Sequence, residues 1–303
     1  MAEIELRHLK YLLAIAETGG FTRAAERLGI QQPPLTRQIR DLEARVGAQL
    51  VERLSRGARL TEAGEAVAAT ARAMLDQAAD LPAIAARAAA GQSGRLRVGY
   101  TSSAAFHPFL LGAIRVFRGA APGVRLSLEE ESSAELVRDL LADRLDAAVL
   151  RAPAAETELE VDFLLEEPMA AALPAGHRLA GQAQAGVALA DLAGETFVLY
   201  RRPAGAGLYD AVIAACHAAG FSPAVGQEAP RMPSTLSLVA AGLGVSVVPA
   251  SMRRMAVEGV VLAPLIGPHR PAAPLLLATR HDRSAVAARF RADLRRAAAA
   301  WEG

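Results

Sequence analysis

The sequence predicts an α/β chain headed by an α-rich winged helix-turn-helix, and three observations carry that prediction. Residues 7 to 46 hold three helix-period stretches parted by glycines. Residues 50 to 60 shorten to two strands about a turn. Beyond Gly91-Gln92-Ser93-Gly94 the pattern changes to strands alternating with helices. The expected division is 1–61 for the winged head, 62–90 for a linker and dimerisation helix, and 91–303 for two α/β lobes. The first lobe spans about 95–164 with 267–303, and the second about 165–266.

From about Arg7 to Glu17, Leu9, Leu12, Leu13 and Ala16 share one helix face, closed by Gly19-Gly20. The next helix, opening at Phe21, uses Ala24, Ala25 and Leu28 for close packing and ends at Gly29. In the third, Leu35, Ile39, Leu42 and Val46 form the buried stripe, and Pro33 and Pro34 sit in the first turn, where a missing N–H costs nothing. Off that stripe lie Gln32, Pro33, Thr36, Arg37 and Arg40, a donor-rich face with no acid before Asp41, suited to a DNA major groove. Residues Leu50 to Leu60 read as strand, turn at Arg56-Gly57, and strand, a wing whose Arg53 and Arg56 can reach phosphates or a minor groove. Thr61 offers an N-cap to a helix from about Glu62 to Ala90, with Val67, Ala71, Met74, Ala78, Leu81, Ala85 and Ala88 as a heptad seam for a second copy. Pro82 interrupts that seam with a kink or an early end.

The remainder reads as strand Arg95–Tyr100, helix to about Arg118, strand Val124–Leu128, helix Ala134–Ala142 and strand Leu145–Leu150, a run that implies a parallel sheet. A second unit follows with strands at 169–173, 195–200, 224–228, 245–248 and 260–262 and helices at 208–219 and 235–241. Strand 275–278 and a final helix from about Ser284 to Trp301 close the chain. Two lobes joined by crossing strands leave a cleft at the carboxyl ends of the strands. Thr101, Ser102 and Ser103 follow the first strand, and Ser132 and Ser133 the second, pairing hydroxyls with free N–H groups as a carboxylate seat; hydroxyls at helix starts are equally routine caps.

Composition narrows the function. Hydrophobic residues make up 52% and charged residues 21% of 303, a globular balance. No apolar run of about 18 residues offers a membrane span and no leader opens the chain, so a cytoplasmic protein is expected. Cys216 alone excludes an intramolecular disulfide and a zinc thiol cluster, and its Ala-rich setting predicts a buried residue, not a redox sensor. The net charge of +1 hides an asymmetry: residues 21–60 hold eight arginines against four acids, while the middle, from Glu129-Glu130-Glu131 to Glu166-Glu167, is acidic. A basic head on an acidic body confines phosphate attraction to the head. An enzyme is not expected: there is no Gly-x-Ser-x-Gly elbow or phosphate loop ending in Lys, Lys10 is the only lysine, and the six histidines show no metal-binding spacing. Neither cofactor nor metal is expected. A DNA-compacting protein and an α/β enzyme fused to a DNA-binding head are the alternatives, the first disfavoured by the acidic body.

Residues Phe21 to Ala25, Gln32 to Glu43 and Leu60 to Gly64, then Leu173 to His177, Leu238 to Val245 and Val248-Pro249, in that order, resemble the LysR-type transcriptional regulators over the whole chain. The resemblance implies a periplasmic-binding-protein-like two-lobed effector domain. It also implies a dimer through the linker helix, tetramers that bend promoter DNA, and RNA polymerase as a further partner. Within the family the chain is similar to regulators of aromatic catabolism responding to muconate, benzoate or chlorocatechol products, so an aromatic or dicarboxylic acid effector is expected. Residue by residue, it implies that Gln32, Pro33, Thr36 and Arg37 meet base edges, that Arg23, Arg40 and Arg53 meet phosphates, and that Arg56 meets the minor groove. It places Ser103, Ser133, Arg202, Leu208 and Thr235 along the cleft, with Arg151 at the end of the third strand. Gly20 and Gln31 stand where the family often has capping serines, and Arg201 and Ala206 depart from its pattern.

Overall fold

The computed structural model describes residues 3–151, 157–201, 207–281 and 283–302. The chain divides into two compact units, 1–86 and 87–303.

The first unit stacks α1 (Leu6–Thr18), α2 (Phe21–Leu28) and α3 (Gln32–Val46) around Leu12, Ile15, Ala24, Leu35, Ile39 and Leu42, all at most 2% exposed. The zero exposure of Ala24 shows why a small residue is needed there: a longer side chain would push α2 off α1. A two-stranded antiparallel wing, β1 (Val51–Arg53) with β2 (Ala58–Leu60), follows, and then α4 (Glu62–Ala79), whose Thr61 cap accepts a bond from the Gly64 N–H at 2.9 Å.

The expected single helix 62–90 is two. Asp80 separates α4 from α5 (Leu81–Ala89), and Pro82 is the second residue of α5. Proline has no N–H to continue the ladder and its ring disfavours helical backbone at the preceding residue, so the rod breaks just ahead of it. The expected seam also divides. Ala71 and half-buried Val67 join the core of the first unit, whereas Met74, Leu81 and Ile84 are 46%, 60% and 47% exposed and no residue of α5 is buried.

The second unit is organised by one sheet in the order β4-β3-β5-β12-β6-β11-β7, with β10 also on β6. Its elements are β3 (Ser93–Tyr100), α6 (Ser102–Ala105), α7 (Pro108–Ala120), β4 (Gly123–Glu130), α8 (Ser133–Leu141), β5 (Ala147–Leu150), β6 (Leu159–Pro174) and β7 (Val187–Ala188). There follow β8 (Thr196–Tyr200), α9 (Leu208–Ala218), β9 (Ala224–Ala229), α10 (Met232–Ala240), β10 (Ser246–Pro249), β11 (Val260–Ile266), β12 (Ala272–Arg280) and α11 (Ala285–Ala299). β3, β4 and β5 are mutually parallel, but β12 enters antiparallel between β5 and β6, so the first lobe is a mixed sheet and not the expected parallel one. The sixteen-residue β6 serves both lobes. It pairs with β12 from Leu159 to Pro168, then with β10 and β11 from Met169 to Pro174, so the crossing lies at 168/169, four residues past the expected boundary. In the second lobe β8 pairs β9 in parallel. Each lobe has its own core, built around Phe109, Phe117, Leu275 and Phe290 in the first and Phe197, Val212, Leu236 and Val248 in the second.

Candidate nucleic-acid interface and ligand cleft

The first unit presents one face of α3 and the wing together. Gln32, Pro33, Arg37 and Arg40 are exposed and Thr36 is half-buried, opposite the stripe Leu35, Ile39 and Leu42. Neither Gly20 nor Gln31 supplies a side-chain cap; instead the Thr22 hydroxyl donates to Gln32 Oε1 at 3.2 Å and clips α2 to the start of α3. The wing is tied down at three points. Glu43 Oε1 accepts both the Leu50 and Val51 N–H groups at 2.8 and 3.0 Å. Arg53 lies over the Phe21 ring, 4.5 Å from its centroid, and donates to Thr36 Oγ1 at 3.3 Å. The Ala58 N–H donates to Gly19 O at 2.9 Å, an approach open only because residue 57 is glycine: at φ +99°, a Cβ there would lie 2.5 Å from Gly19 O.

Ion pairing sorts the arginines that the sequence left equal. Arg27 pairs with Glu17 and Arg59 with Glu52, each at 2.7 Å, and Arg45 donates to Glu3 O at 2.6 Å. Among the described residues, Arg23, Arg37, Arg40, Arg53 and Arg56 enter no salt bridge. Gln32, Arg23, Arg53 and Arg56 ring a depression of about 450 Å³ between the helix pair and the wing, and Thr36, Arg40 and Arg53 line a second one of about 340 Å³ along α3. Six of the eight residues expected at DNA thus line these two depressions, and the other two, Pro33 and Arg37, are exposed on α3. Glu43 was missed by sequence reading, since an acid late in a helix looks solvated until the strand it anchors is in view.

In the second unit, Thr101, Ser102, Ser103, Ser133, Arg151 and Leu208 come together with Tyr200, Gly207 and Met232 around a space of about 30 Å³ between the lobes. Ser132 is spent on its helix: its hydroxyl accepts from Glu135 N and its N–H is taken by the Glu135 carboxylate, which leaves Ser133 for the cleft. Thr101 Oγ1, in contrast, caps nothing and is buried without a partner among the described residues. Arg151, 4% exposed, donates to Ala273 O at 3.0 Å and Ser103 O at 3.2 Å and pairs with Glu167, itself 3% exposed, while its Nε has no acceptor. Burial pushes the Arg151 guanidinium below its usual value, and the Glu167 carboxylate opposes that fall. Tyr200 is pushed up by burial and then by the Glu135 carboxylate, so its phenol stays a proton donor at neutral pH. Across the mouth, Arg231 of the second lobe reaches Glu130 of the first at 3.4 Å, an exposed pair worth about 0–1 kcal/mol.

One expected cleft residue, Thr235, is not among those around this space. Thr235 is fully buried inside the second lobe, its hydroxyl turned back to Arg231 O on its own helix at 3.4 Å. Hydroxyls in helices satisfy themselves in this way when no solvent or ligand is near. Arg202 lies outside the described residues, as does Ala206. Tyr200 and Met232 were missed because an apolar residue at the end of a strand or the start of a helix carries no local signal of facing a cleft. Cys216 is fully buried, and burial pushes its thiol up to about 11, so it is a core residue. Among the described residues no group of His, Cys, Asp and Glu is placed to hold a metal, and no helix is long and apolar enough to cross a membrane.

This architecture is shared with known proteins. The bacterial regulatory helix-turn-helix domain of the lysR family matches residues 6–65, and the LysR substrate binding domain matches residues 89–299. The chain is 38% identical over 292 residues to the uncharacterized HTH-type transcriptional regulator YnfL of Escherichia coli K12, covering 96% of this chain and 98% of that one. It is 37% identical to the HTH-type transcriptional regulator BudR of Raoultella terrigena over 86% and 90%. Full-length CbnR in complex with its target DNA superposes with a TM-score of 0.84 at 31% identity, over 97% of this chain and all of that one. With a winged helix-turn-helix ahead of a two-lobed ligand domain, the chain belongs to the LysR family of DNA-binding transcriptional regulators and is not an enzyme.

Proposed function

We propose that α3 enters a major groove with Gln32, Pro33, Thr36 and Arg37 toward base edges, that Arg23, Arg40 and Arg53 meet phosphates, and that Arg56 on the wing meets the minor groove. The observation behind this reading is the sorting of charge: Arg37, Arg40, Arg53 and Arg56 on α3 and the wing, with Arg23 beside them, enter no salt bridge among the described residues, whereas Arg27 and Arg59 are paired. Bidentate arginine contacts to guanine discriminate bases, whereas phosphate contacts fix register. Arg37→Ala is expected to weaken specific promoter binding by about 1–3 kcal/mol and to relax sequence preference, while Arg40→Ala weakens all duplexes alike. Gel-shift titrations on promoter and scrambled duplexes separate the two. An Arg37→Ala loss equal on both duplexes would remove Arg37 from base reading.

The ligand of the cleft is read as a small carboxylate, with Thr101, Ser102, Ser103 and Ser133 as hydroxyl and N–H donors and Arg151 as the positive charge. The unpartnered Thr101 Oγ1 and Arg151 Nε support this, as donors left for something the chain does not supply. The space of about 30 Å³ has room for roughly two waters, so an aromatic or dicarboxylic acid enters only as the lobes part. The effector then biases the angle between lobes about the 168/169 crossing and, through copies joined at the exposed apolar residues of α4 and α5, the spacing of bound heads and the DNA bend. Calorimetry on the full chain with benzoate, cis,cis-muconate and succinate tests the carboxylate class. Binding of none of them, or binding unchanged in Ser103→Val, would exclude it.

A further inference from the structure

On the α3 and wing face, Gln32 is the first residue of α3 and Thr22 the second residue of α2, and the two meet at the depression that Arg23, Arg53 and Arg56 also line. The Thr22 hydroxyl donates to Gln32 Oε1 at 3.2 Å, and this is the only hydrogen bond of the Thr22 side chain among the described residues. We propose that Thr22 sets the base that Gln32 reads: holding Oε1 against α2 turns the Nε2 donors to the groove, so the base under Gln32 is a guanine or a thymine and not an adenine. This inference rests on the reading that α3 enters the major groove with Gln32 toward base edges.

A glutamine whose amide is free to rotate pairs with adenine through both ends, its Oε1 accepting from N6 and its Nε2 donating to N7. The amide is planar, with oxygen and nitrogen on opposite sides of its carbon, so a hydroxyl that fixes the oxygen also fixes where the nitrogen points. With Oε1 turned toward α2, what remains for the groove is a pair of N–H donors, which match the O6 and N7 of guanine or the O4 of thymine. Adenine offers them only N7, with its N6 amino group set donor against donor. The bond is exposed in the free chain, where water competes for it, and exclusion of water at a groove strengthens it. Hydroxyls at helix starts ordinarily bond backbone groups of their own segment; the Thr22 hydroxyl instead crosses to the next helix.

The surroundings carry the same bias. No carboxylate lines the depression, and its charged groups, Arg23, Arg53 and Arg56, are donors only. One turn along α3, Arg53 donates to Thr36 Oγ1 at 3.3 Å, which occupies an acceptor site of that hydroxyl and leaves its O–H to donate. Pro33 and Pro34 carry no N–H, so the Gln32 N–H is the single backbone donor of the first three positions of the helix. Base edges that present acceptors are therefore favoured along this face, and Thr22 is the residue that makes Gln32 conform.

Selection of tight binders from a randomised duplex library by the full chain, repeated with Gln32→Ala, locates the base that Gln32 reads as the one whose preference the variant loses. On four duplexes that differ only there, the unmodified chain is expected to bind guanine or thymine about two- to tenfold more tightly than adenine, the span of one neutral hydrogen bond. Thr22→Val, which keeps the shape and removes the O–H, is expected to erase most of that ratio, and Thr22→Ser to restore it. Adenine bound as tightly as guanine and thymine by the unmodified chain overturns the assignment without any variant. So does a ratio unchanged in Thr22→Val, even where that variant weakens all four duplexes alike, which is the mark of a merely structural threonine. A selection in which Gln32→Ala loses no preference at any position overturns the groove reading itself, and with it this proposal.

Discussion

Replacing Glu167 by glutamine leaves a buried guanidinium with no countercharge, and the structure gives the size of the effect. Arg151 and Glu167 are 4% and 3% exposed, and the guanidinium's other acceptors are the neutral carbonyls of Ala273 and Ser103. Breaking such a pair from one side costs about 3–5 kcal/mol. The low end applies, because the amide oxygen of glutamine still accepts the Ser251 N–H and both carbonyls remain on Arg151. At about 3 kcal/mol, a unit of this size should lose about 6–12 °C in Tm. Thermal melting followed at Trp301, which reports on the ligand-binding unit alone, is the assay. Arg151→Met/Glu167→Met should recover most of the loss, since an apolar pair removes both desolvated charges at once. A Glu167→Gln melting point within about 2 °C of the unmodified chain, or a double variant no better than the single one, would refute the reasoning, because either result means the charges are effectively solvated.

Gly57→Ala should cost the first unit about 1–3 kcal/mol and speed hydrogen exchange at the Ala58 amide, because the new Cβ collides with Gly19 O at a φ of +99°; unchanged protection at Ala58 would mean that the wing is not held at that contact. Burial raises the Asp146 carboxyl, but the side-chain and backbone bonds from Arg97 outweigh it and hold it below its usual value. Its contribution is therefore present above the ordinary aspartate pKa and is lost as pH falls through the lower folded value, so Asp146→Asn should flatten the acid limb of the stability profile. An acid limb of unchanged slope would leave Asp146 without that role. The Cys216 thiol, held up to about 11 and fully buried, should react with a maleimide at pH 7.5 only as fast as the second lobe opens. Labelling at the rate of a free thiol would contradict its burial.

Local signals carried most of the first unit. Helix spacing at Leu35, Ile39 and Leu42, paired prolines in a first turn and Arg56-Gly57 between short strands are each decided within a few residues. The hydroxyls of Thr101, Ser103 and Ser133 were legible in the same way, because strand ends in such units point at the cleft. What escaped depends on partners distant in sequence. The placement of β12 between β5 and β6 joins residues more than 100 positions apart, and nothing near residue 272 announces it. Arg151 was legible as a cleft residue but its partner Glu167 was not. Thr235 carried the polarity of a ligand contact, and only its environment shows that polarity spent within its own helix. At Pro82 the sequence showed that the helix is disturbed, and the structure shows the form: a stop at Ala79 and a restart two residues later.

The late arrival of β12 also sets an order of assembly during synthesis. The second lobe is continuous in the chain from Met169 to Ile266, so all its strands have emerged before residue 272 is made. The first lobe, although begun at Ser93, lacks the strand that fills the gap between β5 and β6, and with it Leu275 and Leu277 of its core, until the last tenth of the chain leaves the ribosome. A growing chain is therefore expected to carry a finished head and a finished second lobe around an open first lobe, the stage at which apolar strand edges are exposed to chaperones and to one another. Premature stops between residues 266 and 285 should thus yield aggregation-prone chains instead of DNA-bound, ligand-blind ones.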